Sequence, residues 1–407
     1  MGIRLKDEIT LKFGVLGVLA YVSGLVLLSS ACFAVNAKEM NQPPLTIWLS
    51  DEFSVEAVNA IAERFRQNSG VPVRVEAPAF VHAKFPLFAP NGNGPDIILS
   101  YHQRLGLWAS QGLLAPIEYS PTNLSQYVPL AVNSLKYQDN YYGYPLGIEV
   151  LSLAANTNLV SNPPSNWYQM QYWQKILLRQ GFQSLVWPVE QTLYSFPFLA
   201  AFGAYSFAHS GFVFDVNRLG IAKGDASRGI DFLRALIAQN WLTMKANPAQ
   251  IMADFRQQQL AMMLVLPRHW HELRKLGFPV VLTSLPDIED KPLRPLINVS
   301  AVYINQFSQQ QDIARYFIEN YLVAEPGLAT LDKHIALGVP AYIPYLNQIS
   351  SNPWVQTSFA SLRNAQLTPN IPQVTRFFDV MEMVWRQLPS DKPATQILAE
   401  AQQKVAQ

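Results

Sequence analysis

Cysteine is almost missing from this chain. Among 407 residues there is one, Cys32, so no disulfide can form within the chain and no cluster of thiolates can hold a metal. Charge is scarce as well. Asp, Glu, Lys and Arg make up 14% of the residues and sum to +1, which removes the electrostatic case for nucleic acid as a partner. There is no internal repeat, no heptad pattern and no basic run, so neither a repeat array nor a coiled coil is expected. Neither GxSxG nor HExxH occurs, and scattered carboxylates such as Glu149 and Glu190 reveal no glycosidase spacing. An exported α/β enzyme therefore stands only as an alternative to a binding protein.

What is present points to a rigid globular protein. Aromatics reach 12% and proline occurs 29 times, and the length suits roughly two or three domains with sizeable cores. One apolar run breaks the pattern, Phe13 to Leu28, preceded by Arg4, Lys6 and Lys12 and followed by small residues. Its 16 residues fall short of the roughly 20 that span a bilayer. The layout is that of a signal peptide over residues 1–37, with Val35-Asn36-Ala37 as the cleavage site and Lys38 as the mature start. Asp7 and Glu8 leave an uncleaved anchor as one alternative. Acylation of Cys32 in "LSSAC" is the other, although Ser29 stands where an aliphatic residue is usual. The chain is therefore expected to be exported.

Past Pro43-Pro44, "LTIWLS" reads as a short strand. "SVEAVNAIAERFRQNSG" then sets Val55, Val58, Ile61, Ala62 and Phe65 on one helical face and stops at Gly70. "VPVRVE" alternates with period two. Strand, helix and strand in succession form a βαβ unit, so the first lobe is expected to be α/β with a largely parallel sheet. "NGNGPDIILSYHQRLG", residues 91–106, carries its glycines before a strand rather than between a strand and a helix, and Pro95 removes a donor. A phosphate loop is thereby excluded. The turn launches strand Ile97-Ile98-Leu99, whose carboxyl end brings Ser100, Tyr101, His102, Gln103 and Arg104 to the place where open α/β sheets bind ligands. "YGYPLGIEVLSLAAN" reads as a strand containing Glu149, a carboxylate that must be solvated, paired or hydrogen-bonded. A second α/β unit runs from 150 to 296. "IMADFRQQQLAMMLVL" reads as a helix, with a passage into a strand as the alternative, and "AVYIN" is a further strand followed by the helical "QQQDIARYFIENYLV".

Taken together, "LTIWLSDEF", "AERFRQNSGVPVRVE", "KFPLFAPNGNGPDIILSYHQRLGLWASQGLLAPI", "YYGYPLGIEVLSL", "NPPSNW", "FIENYLVAEPGL" and "LTPNIPQV" resemble the periplasmic maltose/maltodextrin-binding family of extracellular solute-binding proteins. They match in order and spacing over essentially the whole mature chain. The resemblance implies a fold of the type II periplasmic binding protein kind: two α/β lobes, a hinge and a ligand cleft between them. Residues 38–148 plus about 300–350 would form the N-terminal lobe, and about 149–299 plus about 351–407 the C-terminal lobe, on the usual domain sizes. It implies a monomeric binding component of a carbohydrate ABC importer, a maltodextrin-like oligosaccharide as ligand, hinge closure, permease subunits in the inner membrane as partners, and no cofactor. A solute-binding fold with a non-maltose ligand, or with a sensor or adaptor role, is the alternative.

The resemblance also marks candidate ligand contacts, several of them changed. Glu52 stands for a family aspartate and Phe53 for a lysine. Arg104 and Glu149 keep the family's residue, whereas Gln103 replaces an aspartate and Gln191 a glutamate. Stacking aromatics are replaced at Ser100, Leu193, Arg268 and Phe378, with Tyr194 retaining an aromatic beside Leu193, and Glu382 replaces an arginine. Sugars need planar polar groups for their hydroxyls and aromatic faces for their C–H patches, so maltose is expected to bind weakly. Arg268 either meets an anionic ligand or pairs with Glu382 or Asp379. His269 and His271 form an HxH step without a carboxylate cluster, and no metal site is expected.

Overall fold

The computed structural model describes residues 43–407, so the signal-peptide reading and Cys32 lie outside the described residues. Strand β1 (Leu45–Leu49) is fully buried. Helix α1 (Val55–Ser69) begins where the Ser54 hydroxyl accepts the Ala57 amide and ends at Gly70 in the left-handed conformation, the usual polar start and glycine stop. Its buried face is Ala57, Val58, Ile61, Ala62 and Phe65, with Val55 only half-buried at the first turn. Strand β2 (Val73–Glu76) lies parallel to β1 and completes the βαβ unit. Strand β3 (Ile97–Tyr101) follows the glycine turn and pairs parallel to the other side of β1.

The chain then enters β4 (Gly143–Glu149) and, after Val150 and Leu151, β5 (Ser152–Asn156). The stretch read from sequence as one strand is therefore two strands in two different sheets. Strand β6 (Gln183–Val186), helix α2 (Thr192–Ala200), β7 (Leu260–Val265) and β8 (Val280–Thr283) continue the second lobe. Strand β9 (Leu296–Ile304) returns to the first sheet, and β10 (Val339–Pro340) joins its edge. Strand β11 (Gln366–Leu367) pairs with the start of β9, and helix α3 (Val374–Arg386) closes back onto the second lobe.

The first sheet has seven strands, in the order β10-β4-β9-β3-β1-β2, with β11 beside β9. The β3-β1-β2 pairs and the short β9-β11 pair are parallel, but β9 runs antiparallel to both β3 and β4 and β10 antiparallel to β4. This corrects the expectation of a largely parallel sheet. A strand that comes back from the other lobe approaches from the opposite end, and a βαβ crossover does not govern its direction. The second sheet has the order β8-β5-β7-β6 and is mixed in the same way.

Each sheet has its own core. In the N-terminal lobe Ile47, Ile97, Leu99 and Val302 pack with Val58, Phe65 and Phe317. In the C-terminal lobe Leu153, Met262 and Leu264 belong to a core with Phe196, Phe198 and Trp385. The architecture is thus two α/β lobes whose strand ends meet across a shared boundary. Among the described residues no helix is long and apolar enough to cross a membrane.

Candidate functional site

Strand ends from both sheets converge at the boundary. Tyr101 is the last residue of β3, Glu149 the last of β4, and Arg268 sits in the short turn Pro267–His269 just after β7. Tyr101 Oη donates to Glu149 Oε1 at 3.0 Å, and Arg268 Nη2 donates to Glu149 Oε2 at 2.8 Å. The guanidinium also lies 5.2 Å from the centre of the Tyr101 ring, within the range of a cation–π contact. Glu149, 3% exposed, thus resolves the problem posed by a carboxylate on an apolar strand: it is paired and hydrogen-bonded on both oxygens. Arg268, for which the sequence offers Glu382 or Asp379, pairs instead across the lobes with Glu149. Glu382 lies 3.5 Å from Arg386.

Burial dominates the electrostatics here. It pushes the Tyr101 phenol well above its ordinary value, with Glu149 adding to the effect. It also pushes Tyr194 up to about 12. Burial raises the Glu52 carboxyl too, partly offset by Ser50 and Arg268. For Arg268 burial is the largest influence and opposes the charge, but Glu149, Tyr101, Tyr194 and Glu52 together outweigh it and hold the guanidinium protonated.

Two cavities flank this cluster. The inner one is bounded by Glu52, Phe53, Tyr101, Glu149, Ser300 and the segment around Leu331–Leu337, and holds only 20 Å³, room for about one water. The outer one holds 270 Å³ and is lined by Gln103 and Arg104 from the turn after β3, by Gln191, Thr192 and Leu193 at the start of α2, and by one face of α3. That face is Thr375, Phe378, Asp379 and Glu382, spaced to share one side of a helix. Val374 at its start also borders the cavity, while Phe377, Val380, Met381 and Val384 point into the core. Trp385 Nε1 donates to Thr192 Oγ1 at 3.1 Å and ties α3 to α2.

Of the sequence candidates, Gln103, Arg104, Gln191 and Phe378 come together around the outer cavity, and Glu52, Phe53 and Glu149 around the inner one. Tyr194 and Arg268 line neither; Tyr194 is buried with its phenol influenced by Arg268 and Glu149. Four buried polar atoms at these positions have no hydrogen-bond partner among the described residues: Glu52 Oε2, Gln103 Oε1, Arg104 Nε and Arg268 Nε. Arg104 reaches Thr375 Oγ1 only at 3.5 Å, and burial lowers its basicity against the support of Glu52 and Asp379.

Sequence reasoning did not single out Tyr101 or Thr375. Tyr101 was within its reach, since it ends the strand whose carboxyl end faces the cleft. His102, delivered by the same strand end, is instead structural: fully buried, it takes the Val299 amide on Nδ1 and donates from Nε2 to the Thr368 carbonyl. Among the described residues no group of three His, Cys, Asp or Glu side chains is placed to hold a metal ion.

The profile of the bacterial extracellular solute-binding protein family matches residues 60–360. The chain belongs to this family. Relatives of this solute-binding protein include a maltotriose-binding protein of Pyrococcus abyssi, 24% identical over 309 residues, covering 70% of this chain and 63% of the relative. A galactooligosaccharide-binding protein of Bacillus subtilis is 21% identical over 359 residues, covering 82% of each. A maltodextrin-binding protein of the same organism is 29% identical over 129 residues, covering 31% of this chain and 30% of the relative.

Proposed function

We propose that this solute-binding protein is the exported, substrate-binding component of a carbohydrate ABC importer. It holds a sugar between its lobes, closes on it by hinge motion, and presents it to permease subunits; it performs no covalent chemistry. The observation that carries this reading is the 270 Å³ interlobe cavity, lined by both lobes, where Gln103 Oε1 and Arg104 Nε are buried without a hydrogen-bond partner among the described residues. Planar amides, a guanidinium and a carboxylate suit the alternating donors and acceptors of sugar hydroxyls, and the Phe378 ring supplies apolar surface. The names of the relatives support a sugar as the solute. A ligand that touches both lobes favours the closed arrangement by its differential contacts.

The test is a thermal-shift survey of mono- and oligosaccharides, followed by calorimetry on those that raise the melting temperature. A ligand at 100 times its Kd adds about 2.7 kcal/mol of apparent stability, which such a survey detects. Small-angle scattering is expected to show compaction with the same ligand. If no carbohydrate stabilises the protein, the reading fails.

A further inference from the structure

We infer that this protein takes only short neutral sugars, of one or two rings, and that the Arg268–Glu149 pair sets the limit by joining the lobes beside the inner part of the cleft. The inference rests on the carbohydrate reading above and adds the length of the ligand.

Three observations carry it. The first is occupancy. Arg268 reaches across the lobe boundary to Glu149 Oε2 at 2.8 Å, while Tyr101 holds Oε1 at 3.0 Å. Both oxygens of the inner carboxylate are taken by the protein itself. The second is space. The inner cavity holds 20 Å³ against 270 Å³ for the outer one. The larger of the two lies just below the 300–1,000 Å³ usual for small-molecule sites, a size that suits a short sugar better than a long chain. The third is backing. Ala336, from the N-terminal lobe, is 2% exposed and sits in a C-terminal-lobe cluster with Val265, Trp270 and Val355. Gly338 has φ 74°, and a Cβ there would stand 2.8 Å from Pro267 Cγ. The N-terminal lobe thus packs directly on the turn that carries Arg268.

The outer cavity also indicates the charge of the ligand. Arg104 is set against Asp379, and Glu382 has Arg386 3.5 Å away. Glu190 lies 3.6 Å from the same Arg386, so carboxylates outnumber guanidiniums there, which disfavours an anionic ligand.

The experiment is calorimetry on the purified protein with glucose, galactose, lactose, maltose and sucrose on one side and raffinose, maltotriose and maltotetraose on the other. At least one short sugar is expected to bind, with every longer one at least tenfold weaker. In the double variant Glu149→Gln with Arg268→Ala, which removes the pair, the longer sugars are expected to gain at least tenfold. In Glu149→Gln with Arg268→Met, which removes the charge and keeps the bulk, they are expected to gain as well. Wild-type protein that binds maltotriose or maltotetraose as tightly as any short sugar overturns the inference and leaves the carbohydrate reading intact. This comparison needs no variant and decides the matter even if a double variant does not fold. Absence of binding by every sugar, to wild type and variants alike, overturns the carbohydrate reading and this inference together.

Discussion

His102 Nε2 lies 2.7 Å from the carbonyl oxygen of Thr368, 266 positions further along the chain. With Nδ1 accepting the Val299 amide at 3.0 Å, the ring is neutral and its tautomer is set by its partners. Burial, the largest influence, holds His102 down to about 4, and burial likewise holds His82 and His269 to about 4.

A pH dependence follows. The folded values lie below the ordinary value near 6.5, so the unfolded chain takes up these protons first as the pH falls. The stability contribution is complete above pH 6.5 and is lost between about 6.5 and 4, where the unfolded state binds more protons. For His102 alone the loss is on the order of 3 kcal/mol at the acid end. Melting temperatures measured from pH 7.5 to 4.5 are expected to fall steadily below 6.5. In parallel NMR titrations, histidine signals that all move near pH 6.5 would contradict the assignment.

The Glu149–Arg268 pair is expected to behave as a buried unit. Glu149→Ala strands the guanidinium, and removing one partner of a buried pair costs about 3–5 kcal/mol. Adding Arg268→Met to that variant is expected to restore much of the loss. Urea midpoints for the two single variants and the double give the coupling directly; additive effects would mean that the contact contributes nothing.

Arg104→Ala is expected to weaken sugar binding by about 1.5–3 kcal/mol, the range for hydrogen bonds to a charged group. The ligand-free melting temperature is expected to move by only a few degrees, since the side chain borders the outer cavity and belongs to neither core. Calorimetry with the best ligand of the survey, beside a melt without it, separates the two effects. Unchanged affinity would remove Arg104 from the site.

Gly338→Ala is expected to destabilise the protein by more than about 1 kcal/mol, the scale for alanine where φ is positive. Its Cβ would meet the Ile148 carbonyl at 2.4 Å as well as Pro267. An unaltered urea midpoint would show that the packing of this segment on Pro267 is not maintained in solution.

Much of the first lobe was legible in the sequence because its signals are local. The Ser54 cap, the apolar face of α1 and the Gly70 stop all lie within one helix, and the turn at residues 91–96 announces β3. What could not be read depends on partners far along the chain. Nothing in "YGYPLGIEVLSLAAN" marks the passage between sheets, since both halves are apolar and buried. Arg268 stands 119 positions from Glu149, and sequence offers nearer carboxylates equally well. His102 looks like a cleft residue until the backbone of Val299 and Thr368 is in view. Charges and polar groups choose partners in space, whereas periodicity records only which face of an element is covered.

Val150 and Leu151, both fully buried, are all that separates the last residue of β4 from the first of β5. Two residues supply about four soft backbone torsions, too short a tether for the lobes to slide or drift apart at that point. The lobe closure proposed above would therefore be a rotation about this point rather than a separation. One donor and one acceptor dye, placed on either side of this axle, would report that proposed closure as a change in their separation.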